Sequence, residues 1–169
     1  LSFDLTEAER MDRTWPIISN RRVLSVNQRW AGDTGRRVAF VADSWQAWAK
    51  RMGEQEANSS SFAIFLMNTG AQTVLASLPL QNVSSAYAKR TAVCLRDLYT
   101  GEVQLLPSGG GSGATLEVIL AAHDSGMYTA HGSRGRARGG HPHRVTMTPS
   151  RANARDKAVR QCTCAIYSL

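Results

Sequence analysis

Cysteine is scarce in this chain. Cys94, Cys162 and Cys164 are the three in 169 residues, too few and too unevenly spaced for a disulfide framework, and Cys94 reads as a small, buried, apolar residue. Long apolar runs are missing too: nothing reaches ~18 consecutive apolar residues, so no transmembrane helix is expected. The first residue is Leu1 rather than methionine, so the true N-terminus, and any signal peptide with it, is expected upstream. Acidic residues are nearly absent from the last forty positions, where eight Lys/Arg face Asp156 alone. Residues 1–129 hold 12 basic and 12 acidic groups, so the net charge of +7 belongs to that tail. The balance removes most of the suggestion of a nucleic-acid or membrane partner for the main body, and a nucleic-acid partner is not expected.

What is present suffices for one ordinary domain with extras, since 43% of the residues are apolar. Leu1-Ser-Phe-Asp-Leu5 has the look of the last stub of a buried strand. Thr6-Glu-Ala-Glu9 forms a capping box that opens a helix, with Met11, Trp15 and Ile18 on one buried face. Pro16 is expected to break that helix, which restarts with Val23, Leu24 and Val26 packed inward. Gly32, Asp33 and Gly35 mark a loop between two structural units.

From Val38 the hydrophobic period changes to that of short strands. Eight runs qualify: 38–41, 45–52, 62–68, 73–80, 92–99, 103–106, 116–122 and 127–129. Such spacing is that of an antiparallel sandwich. Asn68-Thr-Gly70 and Thr100-Gly101 are the sharpest turns, where glycine supplies positive φ. Ser108-Gly-Gly-Gly-Ser-Gly113 runs into a strand rather than a helix, so it is a connector and not a phosphate cradle. Residues 131–169 have too few large apolar groups to offset ordering entropy and are expected to be a basic, disordered tail.

Several residues invite a chemical role and are better read otherwise. His123 and Asp124 are adjacent and would point to opposite faces of a strand, so a strand-end turn is preferred to a catalytic pair. His131, His141 and His143 with Cys162 and Cys164 fit no closed tetrahedral metal site, and no metal or cofactor is expected. Trp45 and Trp48 lie three apart on a strand, so at least one is core. Arg134-Gly-Arg-Ala-Arg-Gly-Gly140 is similar to RNA-contacting Arg/Gly segments, but a solvated extension is the preferred reading. The sequons at Asn58 and Asn82 are candidate N-glycosylation sites and suit a secreted or lysosomal/vacuolar protein.

Taken in order, several strings resemble one family. Asp4-Leu5, Ile17-Ile-Ser-Asn20 and Val23-Leu-Ser-Val-Asn-Gln28 are similar to the segment after the eighth barrel strand in α-galactosidases of the melibiase family. Asp43 to Met52, Phe62-Ala-Ile-Phe-Leu-Met-Asn68, Arg96-Asp-Leu-Tyr-Thr-Gly101 and Ala122-His-Asp-Ser-Gly-Met-Tyr128 resemble successive stretches of that family's C-terminal domain. The resemblance covers residues 1 to about 130 and implies a mainly β chain. Its expected parts are the final strand and helices of a β/α (TIM) barrel over 1–35, an antiparallel β-sandwich over 36–130, and the tail.

The implied activity is retaining hydrolysis of terminal α-D-galactosides in oligosaccharides or glycoconjugates, which needs two carboxylates ~5 to 5.5 Å apart. In the family both follow earlier barrel strands, in motifs without an equivalent here, so no catalytic residue is assigned and the piece alone is expected to be inactive. Asp4 stands at the expected C-terminal end of a barrel strand and is the candidate substrate contact. A carboxylate there also suits the start of a helix, and that structural role carries more weight. Two other readings stay open: a non-catalytic carbohydrate-binding sandwich, and an inactive domain with an RNA-binding tail. A homodimer is a further possible partner arrangement.

Overall fold

In a computed structural model, residues 8–29, 32–53, 61–108 and 113–133 are described. The strand stub at 1–5, Asp4, Thr6, Asn58 and the tail beyond Ser133 lie outside them. Two helices come first, α1 (Ala8–Ile18) and α2 (Arg21–Gln28). The expected break at Pro16 does not occur, because α1 continues through it to Ile18. Proline in a last turn removes only one i→i−4 bond, and the Ser19 amide still reaches the Trp15 carbonyl at 2.9 Å. The break falls at Asn20 instead. Its Oδ1 accepts from the amides of Arg22 and Val23 and so opens α2, a cap worth about 1 kcal/mol.

A second expectation for the helices also fails. Trp15 and Ile18 do not form a buried face: Trp15 is 56% exposed, Ile17 52%, and Ile18 and Leu24 are exposed as well. The apolar stripe exists as read, but no described layer packs against it. Among the described side chains of the two helices, Val26, with Val23 beside it, reaches a core.

Eight strands follow, close to the eight runs read from the sequence: β1 (Arg36–Phe40), β2 (Trp45–Arg51), β3 (Ser61–Asn68), β4 (Val74–Pro79), β5 (Ala92–Asp97), β6 (Val103–Pro107), β7 (Thr115–Leu120) and β8 (Ser125–Ser133). Six of them form one antiparallel sheet in the order β1-β2-β3-β8-β5-β6, and β4 pairs with β7 in a two-stranded ribbon. Strand β8 runs to Ser133, so His131 belongs to the sheet. Between β4 and β5 lie a 3-10 turn (Leu80–Asn82) and a single helical turn, α3 (Ser85–Ala88).

Alternation along the strands creates two faces on the large sheet. One face presents Trp45, Ala47, Ala49, Ile64, Leu66, Val93, Leu95, Tyr128 and Ala130 to the ribbon's Ala76, Leu78, Leu116 and Leu120. Leu80, Val83 and Tyr87 close one end of this core, where the buried Tyr87 hydroxyl donates to the Ala130 carbonyl at 2.9 Å. Burial pushes that phenol well above its ordinary pKa.

Two glycines in the turns act differently from one another. Gly101 has φ 83°, the positive value expected of it. Gly70 is not among the positive-φ residues; a Cβ there would sit 2.5 Å from the Asp43 carbonyl oxygen, so close approach rather than φ demands glycine. His123 has φ 60° and lies with Asp124 in the turn between β7 and β8, where the Asp124 carboxylate accepts from the Ser125 amide. The pair is a turn, as the sequence suggested.

Cys94 is buried, as expected, but it is disulfide-bonded rather than a free thiol. The other two cysteines of the chain, Cys162 and Cys164, lie outside the described residues.

Ser84 illustrates how a sequence motif can serve the fold. Its hydroxyl caps α3 by accepting from the Ala86 amide, while it is also the third residue of the sequon at Asn82. Asn82 itself is exposed. Ser84→Ala is expected to cost about 1 kcal/mol in urea denaturation and to remove any Asn82 glycan. Ser84→Asp keeps the cap and removes the sequon, so its stability should match the parent while any glycan mass is lost.

Candidate functional site

The second face of the large sheet carries the features that call for a partner. Gln46, Trp48 and Lys50 of β2 point there, with Ala63 and Phe65 of β3, Met127, Thr129 and His131 of β8, and Arg96 of β5. The division of the two tryptophans follows the strand period: Trp45 is 8% exposed in the core, Trp48 39% exposed on this open face.

Helix α2 covers only part of the face. Val26 and Val23 pack on Met52, Ala63, Leu98 and Met127. Lys50 Nζ donates to the carbonyls of Val26 (2.8 Å) and Asn27 (3.4 Å), a cation where the helix leaves unpaired carbonyls. At the other end, Asn20 Nδ2 donates to the Leu98 carbonyl at 2.9 Å and ties the start of α2 to the turn after β5. Beside the helix remains an apolar groove of about 230 Å³, lined in part by Val23, Val26, Trp48, Phe65 and Met127.

His131 lies on the same face, toward β5. Its Nδ1 is 2.7 Å from Ser61 Oγ on the neighbouring strand. Burial, followed by the nearby charges of Arg29 and Arg96, holds its pKa below the ordinary 6.5. A Ser–His contact of this length invites comparison with a nucleophile and its base. Here the imidazole faces cations, the reverse of the carboxylate that orients a catalytic histidine.

The carboxylates that are described serve turns and edges. Asp97 Oδ1 accepts from the amides of Tyr99 and Thr100, closing the turn between β5 and β6. It lines a shallow groove with Glu102, Glu117 and Tyr128, whose phenol is pushed up to about 12 by burial and then by Asp97. Asp33 sits 2.6 Å from Arg51 in an exposed ion pair. Among the described residues, no group of three or more His, Cys, Asp or Glu could hold a metal ion.

No protein-family model matches the sequence, and no curated protein matches it. Solved structures do. α-Galactosidase I from Mortierella vinacea superposes on 69% of this chain with a TM-score of 0.55 and 16% identity, using 28% of its own length. A β-L-arabinopyranosidase from Geobacillus stearothermophilus matches 75% of the chain with a TM-score of 0.52 and 19% identity, over 25% of its length. The α-galactosidase of Saccharomyces cerevisiae matches 71% with a TM-score of 0.51 and 16% identity, over 37% of its length. This chain therefore spans between a quarter and somewhat over a third of these relatives. At such identities the likeness is one of fold, and the fold is that of the C-terminal portion of α-galactosidase-type glycoside hydrolases, whose C-terminal domain is a β-sandwich.

Proposed function

We propose that the chain acts as the C-terminal portion of a retaining glycosidase that hydrolyses terminal α-D-galactosides, contributing stability and alignment to a barrel rather than catalytic groups. The observation that carries this reading is the uncovered apolar surface on the helical side. Trp15, Ile17, Ile18 and Leu24 stand exposed on α1 and α2, and a groove at Trp48, Phe65 and Met127 opens beside α2. Apolar surface arranged at helical spacing and left in water is the mark of a missing layer. The fold likeness to two α-galactosidases supports reading that layer as a glycosidase barrel. The disulfide at Cys94 supports a secreted or lysosomal/vacuolar setting, where such bonds persist.

The exposed Trp48 also favours a second reading, a sandwich that itself holds a sugar ring by stacking. Two measurements separate the readings. Sequencing the transcript upstream of the Leu1 codon is expected to reveal an open frame encoding a barrel with two catalytic carboxylates. The product of that longer frame should hydrolyse 4-nitrophenyl α-D-galactoside, while the present chain shows no turnover and no tryptophan quenching by methyl α-D-galactoside. An in-frame stop or start codon directly upstream, or turnover by this chain alone, would sink the proposal. Quenching that is lost in Trp48→Ala would favour the sugar-binding sandwich.

A further inference from the structure

Strand β5 divides its side chains between the two faces of the large sheet. Val93 and Leu95 point into the core against the ribbon, so Cys94 between them points the other way, onto the second face. There it stands opposite Leu105 of β6 on one side and His131 of β8 on the other. With the partly buried Val103 and Leu105 it forms a small apolar cluster of its own, apart from the one on which Val26 of α2 packs. Strand β6 is the edge of the sheet, yet Cys94 beside it is only 2% exposed.

Cys94 is also disulfide-bonded. The chain holds two other cysteines, Cys162 and Cys164. A disulfide requires its two Cα atoms to lie within about 7 Å of one another. The chain is well placed to make that return: β8 ends at Ser133, which pairs with Ala92, two positions before Cys94. Closing a longer loop adds cost only slowly with its length, so the stretch between Ser133 and the two cysteines is no obstacle.

The sequence around those cysteines suits an apolar resting place. All eight basic groups beyond residue 129 fall at or before Arg160, whereas residues 161–169 carry no charged side chain and include Ile166, Tyr167 and Leu169. We propose that Cys94 is joined to one of Cys162 and Cys164, and that segment 161–169 of this chain thereby lies over the β5–β6 end of the second face. Val103 and Leu105 supply the apolar surface it covers. The inference stands independently of the glycosidase reading, since it rests on cysteine pairing and on which face Cys94 occupies.

The test uses the full chain produced in an oxidising compartment, with free thiols blocked by iodoacetamide before trypsin is added without reductant. Mass spectrometry is expected to find Thr91–Arg96 joined to Gln161–Leu169, with one blocked thiol on the second peptide, and fragmentation assigns the bonded cysteine. Cys162→Ser combined with Cys164→Ser should remove the link and lower Tm by about 5 to 15 °C. Dithiothreitol should lower the parent's Tm by a similar amount and leave that of the double variant unchanged. Hydrogen exchange across Val103–Pro107 should be several-fold faster in the double variant, while that across Arg36–Phe40, at the opposite edge of the sheet, stays the same. A Cys162–Cys164 bond with Cys94 blocked, or a link between the Cys94 peptides of two chains, would overturn the pairing. Exchange across Val103–Pro107 that the double substitution leaves unaltered would overturn the cover.

Discussion

Replacing Leu66 by alanine is expected to lower the unfolding free energy by about 3 to 5 kcal/mol, a large part of the ~5 to 15 kcal/mol available to a domain. Leu66 is fully buried near the middle of β3, facing the ribbon. Its size is required by its neighbours. In register it lies between Ala47 on β2 and Gly126 on β8, two residues with little or no side chain to shift into a void. Nor can Gly126 be enlarged to compensate, since a Cβ there would fall 2.8 Å from the Tyr128 ring. The cavity left by alanine should therefore persist, which places the cost toward the upper end of the range. Urea denaturation followed by fluorescence and circular dichroism should show a lower midpoint with unchanged slope. Leu66→Met, which keeps the volume, should cost under about 1.5 kcal/mol.

Asn68→Ala is the second large effect, expected at about 2 to 4 kcal/mol from the unpaired buried groups it leaves. Asn68 is the one buried polar side chain identified among the described residues. Its amide nitrogen donates to the carbonyls of Gln72 (2.7 Å), Ala121 (2.8 Å) and Leu120 (3.2 Å), and its Oδ1 accepts from the Gly70 amide at 2.8 Å. One side chain thus joins the turn after β3 to the end of β7, and alanine strands carbonyls from both.

Asn68→Asp gives the same argument a sign. A carboxylate facing three carbonyls is disfavoured as an anion, so its folded pKa would rise above the unfolded value of about 3.9. The folded state then binds the extra proton first. The Asp variant should be least stable near neutral pH and regain stability as pH falls through the raised pKa toward the ordinary carboxylate range. A pH-independent defect would show that the amide's donors are not what Asn68 supplies.

The strands were legible because each is a short alternating or apolar run bounded by turn residues, and local chemistry alone determines that pattern. Their pairing was not. Nothing near Met127 or Tyr128 reveals that β8 inserts between β3 and β5, since register is decided by which faces meet after residues about 30 to 70 positions apart converge. The helices show the opposite failure. The stripe through Trp15 and Ile18 was read correctly as apolar and wrongly as covered, because periodicity reports what a face would bury and not whether the partner is present. Gly70 was rightly singled out and wrongly explained: a tight turn and a close backbone approach leave the same letter in the sequence.

The candidate site was less visible still. Asp4 and Asn58 fall outside the described residues. The groove beside α2 draws Val23 and Val26 from one end of the chain and Trp48, Phe65 and Met127 from three separate strands. Each looks like an ordinary apolar residue in isolation. Their meeting becomes legible only once the helix is seen against the sheet face opposite.

The central position of the last described strand governs how the molecule must be made. As the nascent polypeptide leaves the ribosome, β3 and β5 emerge with bare edges and have to wait, since the strand that joins them comes last. Until Ser125 to Ser133 is free, the sheet exists as two halves, β1-β2-β3 and β5-β6, each exposing a hydrogen-bonding rim that could recruit a neighbouring chain. Premature termination a few codons before Ser125 should consequently yield aggregates rather than a slightly shorter domain. Quality control in the cell would meet those products as insoluble material, even though every upstream strand was intact.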